Sequence, residues 1–168
     1  MERTITLHGN PLALSGTPVA VGGKLPSFTL VDNGLKPVAL ADYAGKIKVI
    51  VAVPSLDTPV CDLEVRRFNQ EAAALFDKVA ILVVSMDLPF AQARWCGAAG
   101  VKQVQTLSDY QTAAFGESCG ILIKGLRLLA RAVMVVDASD TIRYLELVPE
   151  LSKEPDYAAA LAAVRSLA

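Results

Sequence analysis

Apolar and polar residues alternate over short distances at the start of the chain, a pattern typical of strands joined by tight turns. Residues 4–7 and 12–15 flank Gly9-Asn10-Pro11, which predicts a β-hairpin. An Asp-Asn-Gly turn separates residues 28–31 from residues 37–40, which predicts a second hairpin. The chain is therefore expected to open with two antiparallel strand pairs.

Two nearly continuous apolar runs follow, at residues 48–53 and 80–85. Their length and composition are those of strands buried on both faces. Between them, residues 60–76 predict an amphipathic helix, because apolar residues recur at helical spacing. The members of this stripe are Leu63, Phe68, Ala72, Leu75 and Phe76. Strand, helix and strand in this order predict a β-α-β unit with parallel strands.

The rest of the chain adds shorter elements. Pro89 favours the start of a helix over residues 89–96, which we expect to end near Gly97. The other predicted elements are a short strand at 105–107, a helical turn at 112–116, an antiparallel hairpin of Ala132–Val136 with Ile142–Leu147, and a terminal helix at Tyr157–Leu167. This order predicts an α/β protein with a thioredoxin-like fold: a central mixed β-sheet flanked by helices, with an added N-terminal β-hairpin.

Size, charge and cysteine content narrow the class of protein. The chain has 168 residues, 53% of them hydrophobic, and a formal net charge of −1. This suits a single domain, 1–168, with residues 1–18 as the N-terminal hairpin extension. Scattered Lys and Arg residues argue against a nucleic-acid partner. Without a signal peptide or an apolar run of membrane-spanning length, we expect a cytoplasmic protein and no membrane partner. Three cysteines cannot all pair within one chain, which favours catalytic or redox use.

Cys61 has the position of a reactive thiol. It follows the predicted strand and turn and lies in the first turn of the predicted helix, where free N–H groups and the helix dipole favour an anion. Pro59 can open this helix, and Thr58 or Asp57 can cap it. An unperturbed thiol is only about 3% ionised at pH 7, so a nucleophile needs such help. Strand-turn-helix placement alone leaves a second reading open, in which Cys61 is a small buried hydrophobe.

Several chemistries lack the residues they require. A cysteine hydrolase needs a histidine base beside its thiol. His8 is the single histidine and lies in the predicted hairpin. An ordinary surface imidazole is a simpler interpretation of His8 than a catalytic base. Cys61, Cys96 and Cys119 have no paired ligand spacing for zinc and no C-x-x-C pair. Glycine-rich nucleotide loops are absent as well. No metal or cofactor is therefore expected, and an activated thiolate without a protein base suits a peroxide, whose O–O bond is itself electrophilic.

Three separate motifs resemble one family. Pro54-x-x-x-Thr58-x-x-Cys61 is similar to the active-site signature of the peroxiredoxins, and residues 54–61 resemble their bacterial thiol peroxidase branch, which uses an atypical two-cysteine cycle. Residues 91–98 resemble the resolving-cysteine helix of that branch, and residues 129–133 its arginine-bearing strand. Matches at residues 7–11 and 154–157 extend the resemblance over nearly the whole chain.

The resemblance implies a role for each matched residue. Cys61 would be the peroxidatic cysteine, and Cys96 the resolving cysteine that forms an intrachain disulfide with it. Thr58 and Arg131 would hold the thiolate and peroxide oxygens, and Pro54 would shield the pocket from water. For Arg131 the alternative is a surface arginine beside a strand, and for Cys96 a packed residue behind Trp95.

The chain departs from the family pattern at two positions near Cys96. Trp95 and Ala99 stand where the family usually has Phe and an acidic residue. Cys119 has no catalytic counterpart in the family and is expected to be a bystander. Local unwinding around one or both catalytic cysteines is expected if their sulfurs start too far apart to bond.

The resemblance also implies substrates and partners. Apolar residues lie near the motifs, at Leu56, Val60 and Phe90. In the resembled family, such surroundings accompany the reduction of alkyl and lipid hydroperoxides as well as hydrogen peroxide. A thioredoxin-type dithiol would recycle the disulfide, and a homodimer is the usual assembly. Two other classes stay open: a redox sensor that uses the same thiol switch without rapid turnover, and a thioredoxin-like scaffold inert to peroxide.

Overall fold

The computed structural model describes residues 2–72 and 78–168, which form eleven strands and four α-helices within these ranges. The strands are β1 Thr4–Leu7, β2 Asn10–Ser15, β3 Thr29–Val31, β4 Pro37–Ala39, β5 Ile47–Ala52, β6 Val79–Ser85, β7 Gln105–Ser108, β8 Leu122–Ile123, β9 Leu128–Leu129, β10 Ala132–Val136 and β11 Ile142–Leu147. The helices are α1 Pro59–Ala72, α2 Pro89–Ala99, α3 Ala114–Cys119 and α4 Tyr157–Leu167, with a single 3-10 turn at Leu40–Tyr43.

Seven strands form the central mixed sheet, in the order β11-β10-β5-β6-β7-β3-β4. The three inner strands β5, β6 and β7 run parallel, and the flanking pairs are antiparallel. Parallel pairing of β5 with β6 requires a crossover, which α1 begins after β5. The predicted thioredoxin-like α/β fold with a central mixed sheet is confirmed.

Helices α1 and α4 cover one face of this sheet, and the N-terminal region and α3 cover the other. Along β5, Val49, Val51 and Val53 pack with residues of α1 and α4 on one face, and Ile50 and Ala52 pack on the other. This alternation follows from the two-residue period of a strand. Both faces of the inner strands are therefore dry, which explains their nearly continuous apolar sequence.

The N-terminal hairpin is part of a second, four-stranded sheet with the order β1-β2-β8-β9. Strands β8 and β9 have only two residues each and no alternation long enough to predict them. Thr6 on β1 also exchanges backbone hydrogen bonds with Pro149 and Leu151, at 2.8 Å each. The hairpin thus holds the loop after β11, a contact that positions the site described below.

The predicted apolar stripe of α1 was wrong at Leu63, which is 56% exposed. The face of α1 that is buried carries Cys61, Glu64, Val65 and Phe68, spaced at three, four and seven residues from Cys61 as a helix requires. Predicted stripe members Leu75 and Phe76 lie outside the described residues, as does the side chain of Ala72. The buried face thus includes a carboxylate that the pattern did not mark.

Two other helix boundaries differ from the prediction. α2 continues through Gly97 and ends at Gly100, whose left-handed conformation at φ 69° stops it. A glycine inside a helix costs only about 1 kcal/mol relative to alanine, so Gly97 does not end it. The helical turn predicted at 112–116 is α3, which begins two residues later, after Ala113 in a left-handed conformation. None of the helices in ranges 2–72 and 78–168 has the length and hydrophobicity needed to cross a bilayer.

Candidate active site

Cys61 lies in the first turn of α1, at the carboxyl end of the parallel strands. The loop at residues 54–58 leads from β5 to this helix, and Pro59 is its first residue. The Cys61 side chain is fully buried within the apolar layer between α1 and the sheet. A sulfur in such surroundings needs a specific partner to be charged, since burial alone favours the neutral thiol.

Arg131 provides that partner. It lies between β9 and β10, and its Nη1 is 3.2 Å from Cys61 Sγ. The Arg131 Nε and Nη2 groups donate to the Leu151 carbonyl oxygen at 3.1 and 2.8 Å, which fixes the plane of the guanidinium. Only 2% of the Arg131 side chain is exposed. A guanidinium at this distance donates a charge-assisted hydrogen bond to the Cys61 sulfur.

Glu64 is the third member of the site, and sequence reasoning missed it. Its Oε2 accepts from Arg131 Nη1 at 2.6 Å, so the same nitrogen serves the carboxylate and the sulfur. Glu64 is fully buried, one helical turn after Cys61. A charged residue three positions after the cysteine, on the buried face of α1, was the available signal.

Glu64 and Arg131 both have pKa values above their ordinary values. Burial raises the pKa of Glu64 from its ordinary 4.5 to about 7, although Arg131 acts in the opposite direction. The negative charges of Glu146 and Glu154 add to the increase. Burial lowers the pKa of Arg131, but Cys61 and Glu64 more than offset this and the pKa lies above its usual value. Arg131 therefore stays charged, and Glu64 is the member that changes charge near neutral pH.

Thr58 and Pro54 frame the site without contacting the sulfur through a hydrogen bond. The Thr58 hydroxyl donates its single proton to the Ser55 carbonyl oxygen at 2.9 Å, so it has none left for a thiolate. Its oxygen keeps lone pairs that can accept from an incoming O–H group. Pro54 is buried two residues after the end of β5, and its side chain has no polar atoms.

The structure does not bring Cys96 to Cys61. Cys96 is half-buried on α2, its Sγ lies 3.4 Å from Thr106 Oγ1 on β7, and all three cysteines are free thiols. Thr106 pairs with Val83, then Val51 and then Val133 across β6, β5 and β10. Thr106 is therefore three strand spacings, or about 14 Å, from Val133, and Arg131 lies two residues before Val133 along the chain.

Cys119 and His8 take no part in this group. Cys119 is buried on the opposite face of the sheet, and burial raises the pKa of its thiol to about 12. His8 is exposed at the turn of the N-terminal hairpin, where its backbone N–H donates to Glu150. Of the apolar residues expected near the thiolate, Leu56 is buried and Val60 half-buried, but Phe90 is on the surface.

A sequence model of the Redoxin family matches residues 20–161 of the chain. Thiol peroxidases of Halalkalibacterium halodurans and Bacillus subtilis are 51% and 48% identical to it over 163 residues, which is 97% of this chain and 98% and 97% of theirs. The chain belongs to the Redoxin family, in its bacterial thiol peroxidase branch. It is therefore a peroxidase of the peroxiredoxin type, as the three sequence motifs predict.

Solved structures agree with this assignment. The crystal structure of a peroxiredoxin-like protein from Aquifex aeolicus has 38% sequence identity and a TM-score of 0.93, and covers 100% of this chain and 99% of that one. A thiol peroxidase from Chromobacterium violaceum reaches a TM-score of 0.88 at 23% identity, over 99% of this chain and 97% of that one. The second likeness shows the shared fold alone.

The Glu64 carboxyl of this peroxidase predicts how its stability depends on pH. Because the folded state holds a proton on Glu64 up to about pH 7 and the unfolded state loses it near pH 4.5, Glu64 makes the free energy of unfolding fall as the pH rises between these values. The decrease is at most about 3 kcal/mol. In Glu64→Gln this part of the pH dependence should disappear, as measured by urea unfolding at pH 5 and pH 7.5.

Glu2→Gln is the matched control for this prediction, because Glu2 is exposed and its partner Lys124 is also on the surface. It should keep the pH dependence of the parent protein. An unchanged difference between pH 5 and pH 7.5 in Glu64→Gln would show that Glu64 is already ionised at pH 5.

Proposed function

We propose that this peroxidase reduces hydrogen peroxide and alkyl or lipid hydroperoxides through a sulfenic acid on Cys61. The observation that supports this best is the 3.2 Å contact between Arg131 Nη1 and the buried Cys61 Sγ. It puts a permanent positive charge, held in a dry pocket, beside the one thiol that sits in the first turn of α1. Such a fixed donor stabilises charge without any cost of reorganisation during the reaction.

In the proposed oxidation step, the Cys61 thiolate attacks the nearer oxygen of the peroxide. An S–O bond forms, the O–O bond breaks, and the departing alkoxide or hydroxide leaves as an alcohol or water after taking a proton. The sulfur is oxidised and the peroxide reduced by two electrons. Arg131 stabilises the negative charge as it moves from sulfur to oxygen, the Thr58 oxygen accepts from the peroxide O–H, and Pro54 excludes water.

In the proposed resolving step, Cys96 attacks the Cys61 sulfenic acid and forms an intrachain disulfide with release of water. Because Cys96 Sγ contacts Thr106 on β7, three strands away from β10, which follows Arg131, and a disulfide is only about 2 Å long, part of α2, of α1 or of both must unwind. A thioredoxin-type dithiol then reduces the disulfide. Such a donor is kept reduced in the cytoplasm, which is the location we propose for the enzyme.

The cysteine assignments predict distinct behaviour for two variants. Cys61→Ser should not consume peroxide, because it lacks the nucleophile. Cys96→Ser should consume about one equivalent and then stop as the Cys61 sulfenic acid. Oxidation of NADPH, coupled through thioredoxin reductase and thioredoxin, measures turnover, and a dimedone adduct detects the stalled acid.

Cys119→Ser is the control and should turn over like the parent protein, since its thiol lies on the other face of the sheet. Normal turnover by Cys61→Ser would contradict the assignment of the nucleophile. If the parent protein is oxidised once and NADPH oxidation then stops, the protein is a redox sensor rather than a peroxidase that uses this donor. Three thiols still titratable after one equivalent of peroxide would identify an inert scaffold.

The role of Arg131 predicts a slower oxidation step in Arg131→Lys. Lysine keeps the charge opposite Glu64 but loses the planar fork that reaches Leu151 and Cys61 together. We expect the second-order rate constant for hydrogen peroxide to fall about 100-fold, the typical effect of removing one fixed donor. Stopped-flow competition for peroxide measures this rate constant.

Arg143→Lys is the matched control, because Arg143 on β11 is 52% exposed and forms an ion pair with Asp137, away from Cys61. It should react at the parent rate. Should Arg131→Lys react equally fast, the guanidinium has no part in the oxidation step.

We also propose that the enzyme is a homodimer that buries the beginning of α2. Leu88 and Phe90 are 52% and 66% exposed there, and neighbouring large apolar side chains on a surface are typical of an interface. Sedimentation velocity should give twice the monomer mass for the parent protein. Phe90→Ser should shift the mass towards the monomer, whereas Leu126→Ser, which changes a 50% exposed leucine in the β8–β9 turn, should not. A parent protein that sediments as a monomer would contradict the proposal.

A further inference from the structure

Cys96 lies on the weakest part of α2. Gly97 is inside the helix, and Gly97 and Ala98 are exposed, so the residues after Cys96 contribute few side chains to the core. Gly100 and Val101 close the helix by donating to the Cys96 carbonyl oxygen. Glycine is a poor helix former and short helix ends fray. The side-chain contacts of this turn therefore decide how long it stays folded.

Trp95 makes the first of these contacts. Its Nε1 donates to Asp62 Oδ1 at 2.8 Å, and its ring lies under the Arg66 guanidinium, 5.7 Å from the ring centre. Asp62 directly follows Cys61 on α1. This hydrogen bond exists only because the chain has a tryptophan at position 95, since the phenylalanine usual in the family has no side-chain N–H group to donate.

Thr106 makes the second contact. Its hydroxyl donates to Asn33 Oδ1 at 2.9 Å, so the Thr106 oxygen is left to accept from the S–H group of Cys96, 3.4 Å away. Thr106 is nearly fully buried on β7. The thiol of Cys96 is thus held on the side of α2 that faces β7.

The two contacts must break together when Cys96 turns towards Cys61. Consecutive residues of a helix point about 100° apart, and here Trp95 points at α1 while Cys96 points at β7. Cys96 can face α1 only if the turn unwinds or rotates and Trp95 leaves Asp62. The Trp95 indole lies on the side of α2 towards which the Cys96 sulfur would have to move.

We propose that Trp95 and Thr106 are positioning residues that hold Cys96 away from Cys61 and set the rate of the resolving step. This inference rests on the proposed Cys61–Cys96 cycle. While the two contacts last, the Cys61 sulfenic acid waits, and a second peroxide can transfer an oxygen atom to it, which gives sulfinic acid and releases water or an alcohol. Once they break, the Cys96 sulfur attacks the Cys61 sulfur, the S–O bond breaks, and the departing hydroxide leaves as water with the Cys96 proton. The contacts therefore also set how easily the enzyme is overoxidised.

Trp95→Phe is the principal test, because it keeps an aromatic side chain and removes the N–H group, together with the five-membered ring of the indole that carries it. The reduced protein is mixed with one equivalent of hydrogen peroxide and quenched at short times, and mass spectrometry separates dimedone-trapped sulfenic acid from disulfide. We expect disulfide formation to be about 10-fold faster, as for loss of a hydrogen bond to a charged acceptor, with the oxidation step unchanged. The fraction of sulfinic acid in excess peroxide should fall by a similar factor.

Tyr110→Phe is the matched control, since it removes an aromatic hydroxyl that bonds only to its neighbour Gln111 among the described residues. It should resolve at the parent rate. Asp62→Ala breaks the Trp95 hydrogen bond from its other side and should accelerate disulfide formation as Trp95→Phe does. This second route keeps the test decisive if one variant is poorly folded.

Thr106 is tested by a rescue. Thr106→Val, which lacks the hydroxyl, should form the disulfide about three-fold faster, because a neutral hydrogen bond is weaker than one to a carboxylate. Thr106→Ser restores the hydroxyl and should return to the parent rate, a result that a general loss of packing would not produce. Thr29→Val on the exposed side of β3 is the control and should have no effect.

The outcomes separate this inference from the function on which it rests. If the parent protein forms no Cys61–Cys96 disulfide, the proposed cycle fails and the inference falls with it. If the disulfide forms at the same rate in the parent protein, Trp95→Phe and Thr106→Val, or more slowly in these variants, the cycle stands and the inference is overturned.

Discussion

The Arg131 guanidinium contacts two separate parts of the chain and joins them into one site. Its Nη1 donates to Cys61 and to Glu64 on α1, and its other two nitrogens donate to Leu151 after β11. Removing one partner of such a buried group would leave a charge without water or a counter-ion, which costs about 3–5 kcal/mol. The site is therefore stable only when both segments are in place, and the rest of the fold keeps them there.

The N-terminal hairpin supports this arginine from a distance. Thr6 bonds through its backbone to Pro149 and Leu151, and its hydroxyl donates to the Glu150 carboxylate at 2.6 Å. These contacts hold the Leu151 carbonyl oxygen where Arg131 needs it. Strands β8 and β9 continue the same small sheet and lead directly into Arg131. A region that looks like an addition to a thioredoxin-like core thus belongs to the support of the active site.

The fold keeps the side chains of Cys61 and Cys96 apart, although both lie on the same side of the central sheet. Cys61 is held by an arginine next to β10, and Cys96 is held by Thr106 on β7. In the proposed cycle this separation makes the resolving step wait for a conformational change, so the packing around α2 influences the cycle together with the reacting atoms.

The sequence by itself determined the elements whose signal is local. The β-α-β unit, Cys61 in the first turn of α1 and the mixed sheet follow from periodicity and turn residues, which act between near neighbours, and the three motifs identified the family. Tertiary structure alone decided which side chains meet. The burial of Glu64 could not be predicted, because a carboxylate on a buried helix face is tolerated only when a distant arginine reaches it. Leu63 is exposed because the neighbouring face of α1 is the one that packs against the sheet. The Leu151 carbonyl and the Thr106 hydroxyl carry no sequence pattern, since their roles depend on strands paired across the sheet.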